Sequence, residues 1–422
     1  MYYLIYIILV LSIIFQSLSI ADKIGFIGSS LTSIILPLIF LIMLIFRQTM
    51  KVNEYTKKLI KLYVYTIFVS LLVLTIYLLF LNGDAYFWGQ NIFIKGIKAS
   101  IYFGEIIVFL VIVEKLQNKL SIKKVFRPII ITYLILFFLL IFEIINPIGF
   151  NQIFHNGEFY NRIRVTTTES STIGTLFTVF FILSCYYYSK IKRNYINLIL
   201  IVVSYLIFMI SSGSKGYLIC LIISIIIMTV KKMNLKKVNN ITALIIGIGV
   251  LFLIFKYLFG EIYSLFLLDL KEYSSFATRS YTTYCAILIG TIYPFGVGTF
   301  LYPTVFTKTL SNNLFIFDKL NLNLNLNEIL GMISSTTGYG VAAKVPIAQY
   351  NMYWGMIGTI YFIKAYWINI YKNSKILKKS YLLDLTFIFI LISTLTYVSF
   401  ENKYEIWLFI STIIFLDKNQ KD

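Results

Sequence analysis

Residues 128–146 read PIIITYLILFFLLIFEIIN, an apolar run that carries a single charged side chain, Glu143. A bilayer core of roughly 30 Å needs about 20 apolar residues in a helix that rises about 1.5 Å per residue. A strand of a membrane barrel would alternate apolar and polar residues, whereas this run is apolar on every face. The stretch therefore predicts a membrane-spanning helix.

Eleven further stretches of the chain have the same character or come close to it. Together they predict an all-α polytopic integral membrane protein with about twelve transmembrane helices, in which residues 1–422 form a single membrane domain. The twelve stretches are 2–20, 25–46, 61–82, 99–114, 128–146, 172–189, 195–211, 216–230, 241–259, 347–369, 381–399 and 404–416.

The composition excludes the soluble classes of protein. Of the 422 residues, 59% are hydrophobic and 13% are charged, and the mean hydropathy is +0.83. A soluble domain is about 45–50% apolar and about 25% charged. This composition therefore excludes a soluble enzyme, a nucleic-acid-binding protein and a disordered chain.

The three cysteines form no CxxC pair and indicate neither a zinc site nor a disulfide framework.

The net charge of +19 is distributed unevenly among the predicted loops. We take alternate loops, starting with the one after the second stretch. Together with the C-terminal tail, these loops hold 23 lysines and arginines. The opposite loops hold 12, spread over far more residues. Because lysine and arginine accumulate on the cytoplasmic side, we expect both termini to be cytoplasmic. Most of the positive charge then serves as anchors that face anionic lipid.

Two predicted external segments are long. Residues 147–171 form a polar loop, and residues 260–346 connect the ninth and tenth helices. External connections of this length are usually functional. The second loop contains apolar segments at 281–298 and 313–317, which we expect to be amphipathic or re-entrant. The alternation of NLNLNLN at 321–327 fits a short strand or biased composition equally well.

The first polar cluster, NRIRVTTTESSTIG at 161–174, lies immediately before the sixth stretch. One interpretation is a helix start, with a Ser or Thr as N-cap and Glu169 in the first turn, where its charge suits the helix dipole. The other is an anion site, in which the Arg164 guanidinium binds phosphate oxygens and helix-terminal N–H groups contribute. The two interpretations are compatible.

Two further clusters lie on the same predicted side of the membrane. The sequence ISSGSKGYLI at 210–219 predicts a sharp turn in which Gly213 and Gly216 permit the reversal. Lys215 in this turn is either an anchor at the membrane boundary or a ligand-binding residue. Arg279 lies in ATRSYTTY at 277–284. It opposes the positive-inside bias, which favours a functional role.

The only histidine is His155, in the first external loop. Glu158 is its only close acidic neighbour in sequence, so the pattern predicts a solvated loop residue rather than a metal ligand. The chain has no Walker motif and no GxSxG motif. The sequence therefore predicts no metal site.

These clusters, in this order along a twelve-helix chain, resemble the O-antigen polymerase/ligase superfamily. The first family motif, R-x-x-G/T-x-x-x-E-x-S, is approximated by Arg164, Thr167 or Thr168, Glu169 and Ser171. The resemblance covers about 147–370 in motifs and the whole chain in topology. The family's S-R-G turn is matched by Ser214-Lys215-Gly216. Its glycine-containing stretch after an arginine is matched by Arg279 and Pro294-Phe295-Gly296-Val297-Gly298. Its start of the tenth helix is matched by Asn351-Met352-Tyr353-Trp354-Gly355 and Gly358.

The resemblance implies a metal-independent glycosyltransferase of the bacterial cytoplasmic (inner) membrane. Such an enzyme joins undecaprenyl-diphosphate-linked oligosaccharide repeat units on the outer face, giving O-antigen or capsular polysaccharide. Arg164 and Arg279, helped by Arg162 and Lys215, would bind the substrate diphosphate. Glu169 would activate the acceptor or orient Arg164. No cofactor is implied, and the partners would be the lipid-linked glycans, membrane lipid and a chain-length regulator protein, with no nucleic acid.

The departures from the family pattern leave a ligase as one alternative. Ligases of the family carry a histidine just before the motif asparagine, where Ala348, Gln349 and Tyr350 stand here, so the sequence favours a polymerase. Lys215 keeps the charge of the family's arginine but lacks its bidentate fork.

A lipid-linked oligosaccharide flippase or another transporter is the alternative from a different class of protein. A transporter would place ionisable residues deep within its spans, where they form a pathway. The candidate residues are Glu105, Glu143, Lys256, Lys364 and Asp384.

Overall fold

The computed structural model describes residues 1–16, 30–46, 52–87, 90–155, 157, 162–167, 169–232, 274–316, 326–334 and 341–419. Most of these residues are helical, and the only strands among them are one antiparallel pair of two residues each. The elements in chain order are α1 (Tyr2–Ser12), α2 (Leu31–Ile45), α3 (Glu54–Phe80), β1 (Tyr86–Phe87), β2 (Gln90–Asn91), α4 (Ile92–Asn118), α5 (Ile122–Ile145), α6 (Pro147–Phe154), α7 (Ser170–Tyr186), α8 (Tyr195–Ser211), α9 (Lys215–Lys232), α10 (Ser274–Ile292), α11 (Gly298–Asn312), α12 (Asn327–Ser334), α13 (Pro346–Phe362), α14 (Asn369–Asn373), α15 (Lys375–Lys379), α16 (Tyr381–Thr396) and α17 (Tyr404–Asn419). Short π-helical segments, Tyr187–Ile191 and Ile363–Ile368, continue α7 and α13.

Among the described residues, four helices are long and apolar enough to cross a membrane: α3, α4, α5, and α7 with its π-helical continuation. The shorter helices α1, α2, α8 and α16 are also apolar. Large apolar side chains such as Phe68 on α3 and Phe138 on α5 are exposed, as expected where lipid rather than water surrounds a helix. The fold is that of an α-helical membrane protein.

The predicted helical class is confirmed, and eleven of the twelve predicted stretches coincide with a helix. The ninth stretch, 241–259, lies outside the described residues, as does most of the predicted strand 321–327. In the long loop 260–346, the described parts, 274–316, 326–334 and 341–346, contain the helices α10, α11 and α12. The number and direction of the membrane crossings remain predictions.

The chain divides into two compact units. Unit 1 comprises 1–60, 101–224 and 365–422, and unit 2 comprises 61–100 and 225–364.

Unit 1 is built around α7, which packs against α5, α8, α16 and α17. Gly174 allows α9 to approach as well, because a Cβ at that position would lie 2.4 Å from the Tyr217 ring. Two stacked aromatic pairs fix α7 against α8. Phe177 stacks on Phe208, with ring centroids 4.1 Å apart, and Phe181 stacks on Tyr205 at 3.8 Å. Such pairs contribute about 0.5–1.5 kcal/mol each beyond the area they bury.

In unit 2, α10 packs against α13, and α11 and α12 pack against α10. Gly290 allows the side chain of Asn351 to lie against α10, because a Cβ at that position would overlap the amide group. The Nδ2 atom of Asn351 donates a hydrogen bond to the carbonyl of Ala286 at 3.1 Å. The motif asparagine therefore ties α13 to α10.

Candidate functional site

The segment between α6 and α7 makes a buried turn at Arg164 and Val165. Val165 has a φ of +44°, which a β-branched residue rarely adopts, and its side chain is buried. Backbone conformations of this kind cost of order 1–3 kcal/mol and cluster at functional sites. The turn therefore marks this segment as a candidate site.

Two side chains from neighbouring elements stabilise the turn. The Glu143 carboxylate at the end of α5 accepts hydrogen bonds from the backbone N–H of Arg164 (3.1 Å) and of Val165 (2.8 Å). The Nε2–H group of His155 donates to the carbonyl of Val165 at 2.6 Å. The prediction of a solvated His155 is wrong: its side chain is buried, because it supplies the donor that this carbonyl needs.

Arg164 is only 5% exposed, which excludes an anchor at the membrane surface. Its Nη2 atom donates to Oδ1 of Asn151 at 3.2 Å, and its guanidinium is within electrostatic reach of the Glu143 carboxylate. Asn151 is itself oriented, since its Nδ2 atom donates to the carbonyl of Pro147 at 2.8 Å. The short helix α6, which the sequence did not indicate, thus positions the arginine.

Glu169 is the N-cap residue of α7, so its predicted place in the first turn is wrong by one position. Its carbonyl accepts from the hydroxyl of Thr167 (2.9 Å) and from the backbone N–H of Thr172 (3.1 Å). The carboxylate makes no capping hydrogen bond, and its Oε2 atom accepts from the Ser171 hydroxyl at 3.3 Å. Backbone groups thus fix the residue, while its side chain is exposed at the start of the central helix.

The turn between α8 and α9 approaches the same segment. Gly213 has a φ of +57°, as expected for the reversal, whereas Gly216 lies inside α9 and is not part of the turn. A Cβ at Gly213 would lie 3.9 Å from Cγ of Arg162, so the exposed Arg162 side chain passes over this turn. Lys215 begins α9, and the described part of the structure does not include its side chain.

Three buried polar residues that the sequence reasoning missed, Gln16, Lys403 and Glu405, also belong to unit 1 and are linked to the segment before α7. Lys403, before α17, donates from Nζ to Oε1 of Gln16 at 2.5 Å, and Nε2 of Gln16 donates to Oε2 of Glu405 at 2.6 Å. The backbone N–H of Gln16 donates to the carbonyl of Thr166 at 3.3 Å. Burial lowers the pKa of Lys403 below its ordinary value, and the carboxylates of Glu405 and Glu169 oppose this change. The hydrogen bonds of Gln16 thus connect the lysine to the segment that precedes Glu169.

Arg279 belongs to unit 2, where it lies half-buried on α10. Its carbonyl accepts from the hydroxyl of Thr282 at 3.3 Å, and the same hydroxyl accepts from the backbone N–H of Lys344 at 3.3 Å. The Lys344 side chain forms an ion pair with Glu328 of α12, at 2.7 Å. Arg279 thus lies one helical turn before Thr282, and Thr282 contacts the segment that leads into α13.

The two glycine motifs of unit 2 are in direct contact. Helix α13 is broken at Gly355, which has a φ of +65°. The backbone N–H of Val297 donates to the carbonyl of Met352 at 2.8 Å, and the N–H of Ile357 donates to the carbonyl of Pro294 at 3.1 Å. Segment 294–298 therefore supplies hydrogen-bond partners for backbone groups on both sides of the break, as buried backbone groups require.

Among the residues considered for a transporter, Glu105 and Glu143 make structural contacts. Glu105 accepts hydrogen bonds at Oε2 from the hydroxyls of Ser33 (3.0 Å) and Tyr404 (2.9 Å). Glu143 holds the Arg164–Val165 turn, Lys364 is exposed, and Asp384 is buried in the first turn of α16. Lys256 lies outside the described residues.

In the part of the chain that the structure describes, no group of three or more His, Cys, Asp or Glu residues could hold a metal ion. Comparisons with protein-family models, curated proteins and solved structures found no match to this chain.

Unit 1 brings together two of the three sequence clusters, 161–174 and 210–219, and adds Glu143, His155 and Lys403 to them. The third cluster, with Arg279, belongs to unit 2. At the start of α7 the site offers an exposed carboxylate together with basic groups. Such a set can bind an anion and accept a proton.

Proposed function

We propose that this protein is a polysaccharide polymerase of the bacterial cytoplasmic membrane. It joins undecaprenyl-diphosphate-linked oligosaccharide repeat units on the outer face, and its product is an O-antigen or a capsular polysaccharide. About twelve helices cross the membrane, and both termini are cytoplasmic. The resemblance of the sequence motifs supports the substrate class, and the helical membrane fold is compatible with it.

One observation supports the proposal most directly: the buried Arg164 on the strained Val165 turn, held by Glu143 and His155. A membrane protein rarely buries an arginine, and here the arginine directly precedes a strained residue, a combination that favours a functional use of its charge. A diphosphate is the ligand that best fits an arginine fork, because each guanidinium binds two phosphate oxygens. We assign Arg164 to the substrate diphosphate, with Arg162 and Lys215 as auxiliary groups, and the resemblance of the sequence motifs assigns Arg279 to the same ligand.

The reaction is a transfer of the growing glycan. A hydroxyl oxygen of the acceptor repeat unit attacks the anomeric carbon of the donor glycan, and the bond from that carbon to the phosphate oxygen breaks. The leaving group is undecaprenyl diphosphate, a stable anion that the arginines bind. The proton of the acceptor hydroxyl passes to the carboxylate of Glu169, whose exposed position at the start of α7 suits this role.

The alternatives have less support. Where a ligase of this superfamily has a histidine, this chain has Ala348, Gln349 and Tyr350. Of these, Gln349 makes structural hydrogen bonds: its Oε1 atom accepts from Ala343 N–H (2.6 Å), and its Nε2 atom donates to the Tyr353 hydroxyl (2.5 Å). For a transporter, the buried Glu105 and Glu143 should line a pathway, yet both are hydrogen-bonded between packed elements.

The test uses a strain in which the gene for this protein is deleted. Polymer formation is measured when this strain expresses plasmid-borne wild-type protein or a variant. Wild-type protein should restore long-chain polymer on a gel, whereas Glu169→Gln should leave single repeat units on the surface. Both proteins must be present at equal levels in the membrane. A deletion strain that still polymerises, or a Glu169→Gln variant with full-length polymer, would contradict the proposal. A deletion strain whose lipid-linked units accumulate inside the cell would favour the flippase.

A further inference from the structure

Lys403 is a charged residue with an unusual environment, because it is only 6% exposed although it lies in a short connection between α16 and α17. The neighbouring Glu405 is completely buried. The two charges are bridged by the neutral side chain of Gln16. Burying two ions costs several kcal/mol each, and this cost is recovered only in part by their attraction. A role beyond helix packing would explain their presence.

The same lysine is linked to the segment that bears Glu169. Gln16, which accepts from Nζ of Lys403, donates its backbone N–H to the carbonyl of Thr166. The Thr166 hydroxyl in turn donates to the carbonyl of Ile14. The residues that follow α1 are thereby attached to the turn that precedes the N-cap of α7. A change at Lys403 can therefore move this turn without breaking a helix.

We propose that Lys403 is a positioning residue that holds Glu169 in place by charge attraction and by the Gln16–Thr166 link. The buried ammonium keeps the exposed Glu169 carboxylate at the start of α7, where it meets the acceptor hydroxyl. Glu405 balances the lysine when no substrate is present. This role depends on the proposed function only in its consequence for catalysis, since the hydrogen bonds that link Lys403 through Gln16 to Thr166 exist in either case.

The first measurement does not require activity. The amine of Lys403 is acetylated competitively with acetic anhydride across a pH series, and the labelled peptide is quantified by mass spectrometry. Only the deprotonated amine reacts. Labelling is expressed as a fraction of its plateau at high pH, which removes the effect of restricted reagent access to the buried side chain, so the midpoint reports the pKa of Lys403. The carboxylates that act on it are Glu405 and Glu169, and both raise this pKa. Glu169→Gln and Glu405→Gln should each lower the midpoint pH. Glu54→Gln, which changes an exposed carboxylate paired with Lys57, should leave it unchanged.

The second measurement is the polymerisation rate in isolated membranes, supplied with lipid-linked repeat units extracted from the deletion strain. Lys403→Met should lower the rate about tenfold to hundredfold, as expected for a displaced catalytic group, and Lys403→Arg should retain more activity. Because Lys403→Met leaves Glu405 buried without its counter-charge, the double variant Lys403→Met/Glu405→Gln provides the second test. It removes both charges and should fold normally, but it should stay slow.

The outcomes separate the two proposals. The positioning role is overturned if Glu169→Gln leaves the midpoint of Lys403 unchanged, or if the double variant polymerises at the wild-type rate. Neither result contradicts the proposed polymerase function. Absence of polymer from the wild-type membranes contradicts the proposed function, and the midpoints then still decide whether the two residues interact.

Discussion

The carboxylate of Glu143 accepts a hydrogen bond from the backbone N–H of Val165 at 2.8 Å, and thereby holds a β-branched residue in the left-handed region. Its other oxygen accepts from the N–H of Arg164 at 3.1 Å. An acidic side chain at the end of a membrane helix thus determines the backbone conformation of the segment that carries the candidate arginine.

We expect Glu143→Gln to abolish most of the polymer. The amide nitrogen of glutamine cannot accept a hydrogen bond, so one of the two backbone contacts is lost and the buried Arg164 loses a nearby negative charge. A hydrogen bond to a charged group contributes about 1.5–3 kcal/mol, which corresponds to a loss of about tenfold to a hundredfold. The measurement is polymer per molecule of membrane protein.

Glu114→Gln is the matched control, because it makes the same chemical change in another buried carboxylate of unit 1. Glu114 accepts from the hydroxyl of Thr56 at 2.7 Å and from the side chain of Asn53. This variant should lower the protein level without lowering polymer per molecule. Equal losses per molecule from both variants would mean that Glu143 has only a structural role.

His155 should tolerate glutamine better than leucine. The His155 side chain donates to the carbonyl of Val165, and a glutamine amide can supply a similar donor. Leucine would leave that buried carbonyl without this bond, at a cost of about 1–3 kcal/mol. We expect His155→Leu to reduce polymer about tenfold or more, whereas His155→Gln stays within a few-fold of wild type. The opposite ranking would indicate that the imidazole itself takes part in the chemistry.

The sequence predicted the helices well because each apolar run is a local signal, and it located the Arg164–Glu169 cluster from its position before such a run. It misjudged His155 because burial depends on the contact with Val165, which sequence spacing does not reveal. The signal for Glu143 was present, since it is the single charge in an apolar run, but it suggested a transport pathway.

Lys403 was not predictable in the same way. In the sequence it is one of twelve basic residues in the predicted external loops, and its binding partner Gln16 lies 387 residues away. Only the packing of the first and last helical segments of unit 1 distinguishes it from an exposed anchor. The positive φ of Val165 was equally hidden, because a valine gives no sign of a left-handed backbone.

Glu105 and Arg279 distinguish an enzyme from a transporter. Glu105 accepts two hydroxyl donors at Oε2, and a glutamine retains one acceptor oxygen for them. In a polymerase, Glu105→Gln should therefore keep most of the activity, whereas Arg279→Lys should abolish long-chain polymer. A carrier would show the reverse ranking, because the carboxylate would be essential and Arg279 peripheral. Polymer length on a gel, at matched protein levels, decides between the two.

The predicted topology can be tested with reporter fusions. Fusions after Asn161 and Asn312 should report an external position, and fusions after Asn234 and Asn373 a cytoplasmic one. The basis is the excess of lysine and arginine in alternate loops. An internal signal from the fusion after Asn312 would place the predicted long external loop on the side opposite the lipid-linked substrate.

The arginine side chains themselves give the sharpest test of the diphosphate assignment. If Arg164 and Arg279 bind the diphosphate, each makes a charge-assisted bidentate contact that lysine cannot reproduce. Loss of such a contact costs about 2–5 kcal/mol, or about thirtyfold to several-thousandfold in rate. Arg164→Lys and Arg279→Lys should therefore leave single repeat units without polymer, whereas Lys215→Arg should be tolerated. Full-length polymer from both lysine variants, at normal protein levels, would exclude the diphosphate assignment, because a residue that supplies only positive charge can be replaced by lysine.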